Sequence, residues 1–217
     1  MEIELREYQK QDFKALAEII RETWHYDSFS SPETAVKLAE VFLSSCLVNG
    51  TYARIAVADG EIAGIILVNH AAAHRESLSD RVRQIRSALS LLLSKEGRQV
   101  ARMFGRISGI DKELLREMNK DYPAEIVLFA VRSACRGNGV GKRLFESALE
   151  YIKEQKLNEF YLFTDTSCNY GFYEHQGMSR KNEKAHTFLI NGREVDMRFF
   201  IYDMDFSLLS FPKIASK

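Results

Sequence analysis

Cysteine is scarce, net charge is absent, and no apolar run is long. The three cysteines, Cys46, Cys135 and Cys168, lie far apart among 217 residues. They are too few and too scattered for a disulfide framework, and no CxxC pair offers a structural zinc site, so a reducing compartment is expected. Thirty basic residues against thirty acidic ones exclude a whole-protein attraction to nucleic acid or to an anionic membrane, though not a local patch. The longest apolar runs, such as IAGIILV at 62–68, fall far short of the ~20 residues of a membrane helix. The opening MEIELREYQKQDF alternates charge with apolar residues, unlike a secretory signal or transit peptide. Repeats, low-complexity tracts and linkers are missing. What is present, 46% apolar and 28% charged residues, fits a soluble globular chain. The expectation is a cytoplasmic protein folding as one domain over 1–217, large enough to bury a core without staples.

Periodicity supplies the elements. Ile3 to Arg6 alternate as a short strand; Asp12 then offers an N-cap to a helix marked by Phe13, Leu16, Ala17, Ile20 and Trp24. Ser31-Pro32-Glu33 starts a second helix, which Asn49-Gly50 stops. YARIAVA, the Asp59-Gly60 turn and IAGIILVNH read as a hairpin, because both central turn positions favour positive φ. From His74 to Asp121 the strand signal vanishes. Leu78, Val82, Ile85, Leu89 and Leu92 mark one helix face, Val100, Met103, Phe104 and Ile107 a second, and Leu114, Leu115 and Met118 a third, with Gly97 and Gly109 as breaks. This basic helical insertion carries an apolar stripe that covers either the domain or a second subunit; a substrate-binding cap is the sharper alternative. After Pro123, EIVLFAV has the composition of a central strand buried on both faces. A glycine-rich turn, a helix, the strand FYLFT, a short helix ending at Gly177, and a hairpin through Asn191-Gly192 complete a mixed α/β sheet.

The chemistry concentrates at Val131 to Arg143, V-R-S-A-C-R-G-N-G-V-G-K-R. Its glycines permit positive φ and close approach of backbone to ligand. The unpaired N–H groups of the following helix turn favour a phosphate-sized anion. A tight connection needing small residues only for packing is the plainer alternative. Two nucleotide motifs fail on counting. A Walker A loop requires glycine where Arg136 stands and Ser or Thr where Arg143 stands. The dinucleotide fingerprint requires glycine where Lys142 stands.

The run Arg136-Gly137-Asn138-Gly139-Val140-Gly141 fits Arg/Gln-x-x-Gly-x-Gly/Ala, and F-Y-E-H-Q-G-M at Phe172 to Met178 is similar to F-Y-x-x-x-G-F. With the helix-helix-hairpin opening, these features resemble the GNAT N-acetyltransferase superfamily over about 1–70 and 123–206, with 74–121 outside the resemblance. The resemblance implies a GNAT-like acyl-CoA N-acyltransferase fold with splayed central strands and a helical insertion between the third and fourth. It further implies acetyl-CoA as co-substrate. The backbones of Phe129 and Val131 would hold the pantetheine arm. Arg136, Gly137, Asn138, Gly139, Val140, Gly141 and Lys142 would surround the diphosphate, and an amine would attack the thioester directly.

Tyr173 matches the family's tyrosine and is the expected proton donor to the leaving thiolate, with aromatic packing as its alternative role. Asn169 lies one turn earlier and is a candidate cofactor contact, although the family's asparagine falls where this chain has Thr166. Glu125 at the start of the buried strand is the candidate base; His70 and Asp165 are its rivals. His74, His175 and His186 show no ligand spacing, Cys135 reads as packing, and Cys168 lacks an identifiable histidine partner for thiol chemistry. No metal is expected. The function reading is an acetyl-CoA-dependent N-acetyltransferase acting on a small-molecule or protein amine. Its chief rival is an acyl-CoA-binding regulatory or scaffold protein without turnover. A nucleic-acid module lacks the interleaved aromatic platform, and a homodimer is left open.

Overall fold

The computed structural model describes residues 1–73, 77–190 and 192–208; His74 and Asn191 therefore lie outside the described residues. The elements run β1 (Ile3–Glu7), α1 (Phe13–Thr23), α2 (Pro32–Asn49), β2 (Tyr52–Ala58), β3 (Glu61–His70), α3 (Leu78–Leu92), α4 (Lys95–Glu117), β4 (Ala124–Val131), α5 (Val140–Glu154), β5 (Glu159–Asp165), α6 (Gly171–His175), β6 (Ser179–Ile190) and β7 (Arg193–Asp205). The strands form one mixed sheet in the order β1-β2-β3-β4-β5-β7-β6, as the α/β reading of the sequence requires.

Local chemistry sets most boundaries. The Ser31 hydroxyl accepts the Thr34 N–H, and Pro32 fills the first turn of α2, where its missing N–H costs nothing. Asp59 and Gly60 take φ of 48° and 85°, the double positive φ of a two-residue hairpin turn. Asp12 acts differently from expectation. It does not cap α1; its carboxylate reaches back to accept the Gln9 N–H at 2.8 Å and a fork of two bonds from Arg6 at 2.7 and 2.8 Å. It ties β1 to the turn ahead of α1.

The region between β3 and β4 is two helices rather than three. Gly109 sits inside α4 without breaking it, since a single glycine costs a helix only about 1 kcal/mol. The break falls at Ser94, whose hydroxyl accepts the Gly97 N–H at 2.8 Å. The turn there is so tight that a Cβ on Gly97 would lie 1.9 Å from the Leu91 carbonyl oxygen. Glu96 then fastens α4 to the start of α2 through the Ser31 N–H at 2.8 Å and the Thr34 hydroxyl at 2.5 Å.

Two faces of the sheet are buried. On one, Val140, Leu144, Phe145, Ala148 and Ile152 of α5 pack on Ala56, Ile66, Val68, Ile126, Phe160 and Leu162. On the other, Leu16 and Ile20 of α1 and Leu38 and Leu43 of α2 pack on Ile55, Ile65, Leu67, Leu128 and Ala130. Helix α4 covers the remainder of this second face, setting Met103, Ile107, Ile110 and Leu114 against Tyr161, Phe199 and Ile201.

Strand β4 changes parity midway. Its pairing with β3 slips between Leu67↔Leu128 and Val68↔Ile126, so Val127 is an extra, bulged residue. As a result Ala124 and Ile126 face α5, whereas Leu128 and Ala130 face α1 and α2, and Phe129 and Val131 return to the α5 side. The strand is not uniformly buried as its composition suggests: Val127, Phe129 and Val131 are half-buried, because they border a gap.

Candidate active site

That gap lies between β4 and β5. The two strands are parallel and share only the pair Glu125↔Tyr161, while β4 pairs with β3 from His70↔Ala124 to Gly64↔Val131. Beyond Glu125 the strands splay, leaving an opening at their carboxyl ends, the usual place for a ligand in sheets of this kind. The Arg132 N–H donates to the Ala63 carbonyl at 2.8 Å. By the alternation of an antiparallel ladder, the main-chain groups of Val131 and Phe129 point away from β3 and into the gap.

The glycine-rich turn overhangs this edge. Gly137 and Gly139 take φ of 78° and 84°, and Gly139 precedes α5 with no side chain capping the helix. None of the N–H groups from Gly137 to Lys142 donates to a protein acceptor among the described residues. A Cβ at Gly137 or Gly139 would meet nothing within 4 Å, whereas at Gly141 it would touch Phe129, Val131 and Phe172. The result is an open set of donors at a helix N-terminus, floored by the ring of Phe129. It fits a diphosphate, with an extended arm running on along β4. The flanking side chains are arranged less directly. The Arg136 guanidinium turns back to donate to the Val131 carbonyl at 3.1 Å and to Thr23 at 3.4 Å. Asn138 donates to the Arg136 carbonyl at 3.3 Å, Val140 is buried under the turn, and Lys142 is exposed beside Glu146 at 3.8 Å.

Tyr173 lies on α6, whose end is fixed by Gly177 at φ 87° and by the Gly177→Glu174 and Met178→Tyr173 main-chain bonds, both 3.0 Å, as in a Schellman motif. Its ring is half-buried among Phe129, Phe145, Phe172 and Tyr202. Burial, reinforced by the nearby Cys168 and Asp165, pushes its phenol well above the usual range, so it keeps its proton at neutral pH. Asn169 is not on the same helix: α6 begins at Gly171, and Asn169 stands exposed in the preceding turn. The helix is shorter than the sequence pattern suggests because Asp165 accepts from the Ser167 N–H at 2.7 Å and holds a turn there instead.

Glu125 sits where the strands part. By parity it faces the α1–α2–α4 side, and it accepts a hydrogen bond from the Tyr161 phenol at 3.1 Å. Burial raises its pKa, and the Tyr161 bond opposes that shift. Its rivals are placed differently: His70 pairs with Ala124 on the α5 side, and Asp165 ends β5. Cys168 is unsuited to thiol chemistry, since burial pushes its thiol up to about 11. His175 bonds the Gly171 carbonyl at 2.6 Å, and His186 packs on Phe188.

Two residues escaped the sequence reading. Asp111 of α4 makes no salt bridge among the described residues and lies close enough to Glu125 and Asp165 for their charges to act on it. Burial first, then Asp165 and Glu125, raise its pKa to about 7. The signal was its place one turn from both Ile107 and Leu114, a carboxylate on an apolar stripe. Tyr26, between α1 and α2, is 1% exposed, its hydroxyl has no hydrogen-bond partner among the described residues, and burial pushes its phenol well above the usual range.

Because Asp111 holds its proton more tightly in the folded protein than in the unfolded chain, folding stability falls as pH rises from about 4 through about 7. Asp111→Asn is expected to raise stability at pH 8.5 by about 1–2 kcal/mol and to leave it unchanged at pH 4. Denaturant melts at the two pH values check this; an equal effect at both would contradict it.

The profile of the acetyltransferase (GNAT) family matches residues 13–178. The chain belongs to that family. Similar folds include an N-acetyltransferase from Staphylococcus aureus Mu50, with 13% identity, TM-score 0.55, and 95% of this chain and 99% of that one covered. The ribosomal-protein-alanine N-acetyltransferase from Brucella melitensis gives 15%, 0.54, 93% and 99%. The ribosomal-protein-S18-alanine N-acetyltransferase from Escherichia coli gives 11%, 0.53, 100% and 99%. At these identities the likeness is one of fold. No curated protein matches the sequence. The GNAT fold, with its parted β4 and β5, and the acetyltransferase assignment therefore stand on the family match. No described helix is long and apolar enough to cross a membrane.

Proposed function

We propose that this GNAT protein transfers an acetyl group from acetyl-CoA to a primary amine of a small molecule or a protein, by direct attack of the amine on the thioester. The observation that carries the reading is the row of N–H groups from Gly137 to Lys142 without a protein acceptor among the described residues, above a stretch of β4 that β5 leaves unpaired. Those N–H groups hold the diphosphate. Phe129 and Val131 present main-chain groups to the pantetheine arm in the manner of an added strand. When bound, the thioester supplies the activated acyl group.

The chain's own residues then manage protons. An amine of pKa near 10.4 is only about one part in a thousand neutral at pH 7.4, a deficit of roughly 4 kcal/mol. The ammonium first loses its extra proton to water; Glu125, with its pKa raised by burial, then takes the second nitrogen proton as the C–N bond forms and the C–S bond breaks. Tyr173, protonated at neutral pH, gives its proton to the departing thiolate sulfur. Glu125, Asp165 and Asp111 lie on the face opposite the diphosphate turn, so a cationic acceptor is drawn in from the side away from the anionic donor.

The test is free-thiol release from acetyl-CoA over a panel of amines, with binding measured by titration calorimetry. Amine-dependent release supports the reading. Tight acetyl-CoA binding with no amine-stimulated release would make the protein a binder without turnover. Within that assay, Glu125→Gln is expected to lower kcat by about 10²-fold or more and to leave acetyl-CoA affinity unchanged. An undiminished kcat would transfer the base role elsewhere.

A further inference from the structure

Helix α3 is amphipathic the wrong way round for a helix that only covers its own domain. The side turned to α2 is largely polar: Ser87 meets Ser44 at 3.4 Å and Gln84 donates to Ser45 at 3.2 Å. Arg83 donates to the Tyr8 hydroxyl at 3.0 Å and lies over the Phe13 ring. Leu91 is buried among these contacts. The side turned to solvent is aliphatic. Leu78 and Leu93 are each 82% exposed, and Val82, Ile85, Leu89 and Leu92 between 43% and 59%. The apolar side of α4, by contrast, is used up against β5 and β7, so the two helices differ in where their stripes point.

We infer that the outer face of α3 is the contact between two copies of this chain. Leu78, Val82, Ile85, Leu89 and Leu92 follow one another at intervals of four, three, four and three residues, the spacing of a coiled-coil seam. The face is all-aliphatic along its length, so each copy presents the surface that the other needs, as a two-fold contact requires. Together with Leu93, these five side chains expose about 600 Å² of apolar surface, at the top of the range for the largest patch on a monomer. Covering it on both copies removes about 1,200 Å², the lower end of a stable specific interface. The helix is already formed and fixed by α2, so pairing does not bear the ordering cost that defeats an isolated two-heptad peptide. Charge argues against a lipid surface as the occupant. Of the three arginines of α3 only Arg86 is exposed, Arg81 and Arg83 being half-buried, whereas a helix lying on anionic lipid carries a cation-rich polar face.

Sedimentation velocity of the full chain at about 1–100 μM tests this, with Val82→Glu and Leu89→Glu as variants. Both positions are exposed in the single copy, so folding and acetyl-CoA affinity serve as controls and are expected to stay at wild-type values. The wild type is expected to dimerise increasingly across the range, and each variant to weaken the dimer by about 100-fold or more. A wild type that stays monomeric throughout, or a variant that dimerises as the wild type does, would overturn the inference. So would a monomeric wild type that pellets with phosphatidylserine–phosphatidylcholine vesicles, which would make the face a lipid-binding one.

Discussion

Gly139→Asp is expected to abolish acetyl-CoA binding at concentrations that saturate the wild type, a loss of about 100-fold or more, while the protein still folds. Two effects add at this position. The new carboxylate stands among N–H groups that have no acceptor of their own, so it both occupies the donors and repels a diphosphate. Charge-assisted hydrogen bonds of this kind are each worth about 1.5–3 kcal/mol, and about 2.7 kcal/mol already amounts to 100-fold. The fold survives because a side chain at Gly139 meets nothing within 4 Å; only its φ of 84° is unfavourable, at about 1–2 kcal/mol. Gly139→Ala separates the two contributions. It keeps the backbone penalty, adds no anion, and is expected to weaken binding by less than tenfold. Calorimetry on both variants is the check. Unchanged affinity in Gly139→Asp would remove the turn from the binding site.

Tyr173→Phe is the second large effect, and it falls on turnover rather than on binding. The ring stays in its cluster with Phe129, Phe145 and Phe172, so packing and acetyl-CoA affinity are expected to hold. Loss of the hydroxyl removes the donor to the leaving sulfur and is expected to lower kcat by about 10²–10⁴-fold. Because burial and the nearby Cys168 and Asp165 raise the phenol's pKa, the wild-type rate should not fall on the alkaline side until pH exceeds the ordinary tyrosine range. A wild-type kcat in Tyr173→Phe, or an alkaline limb near neutrality that the substitution abolishes, would deny the phenol this part.

Features set by local chemistry were legible in the sequence: the Asp59-Gly60 turn, the Ser31-Pro32 helix start, and the glycine spacing before α5, each of which fixes its own backbone. Features set by a partner elsewhere in the chain were not. The Val127 bulge is invisible in EIVLFAV because it depends on how β4 registers with β3, yet it decides that Glu125 and Phe129 face opposite sides of the sheet. Asp12 carries the composition of an N-cap, but Arg6 and the Gln9 N–H compete for its carboxylate and win. Arg136 sits in the motif, while its guanidinium is drawn to the Val131 carbonyl. Asn169 falls off α6 because Asp165 and Ser167 make a turn there first. The apolar stripes of 78–118 were plain in the sequence, but only tertiary packing shows that α4 turns its stripe inward and α3 turns its stripe out.

The main-chain amides of the turn are the most direct probe of the account. In a ¹H–¹⁵N correlation spectrum titrated with acetyl-CoA, the resonances of Gly137 to Lys142, together with those of Phe129 and Val131, should shift the most and saturate with a single affinity. Free diphosphate should move the turn amides and leave Phe129 and Val131 in place. Shifts confined to other parts of the sheet, with the Gly137–Lys142 amides unmoved at saturation, would contradict the account.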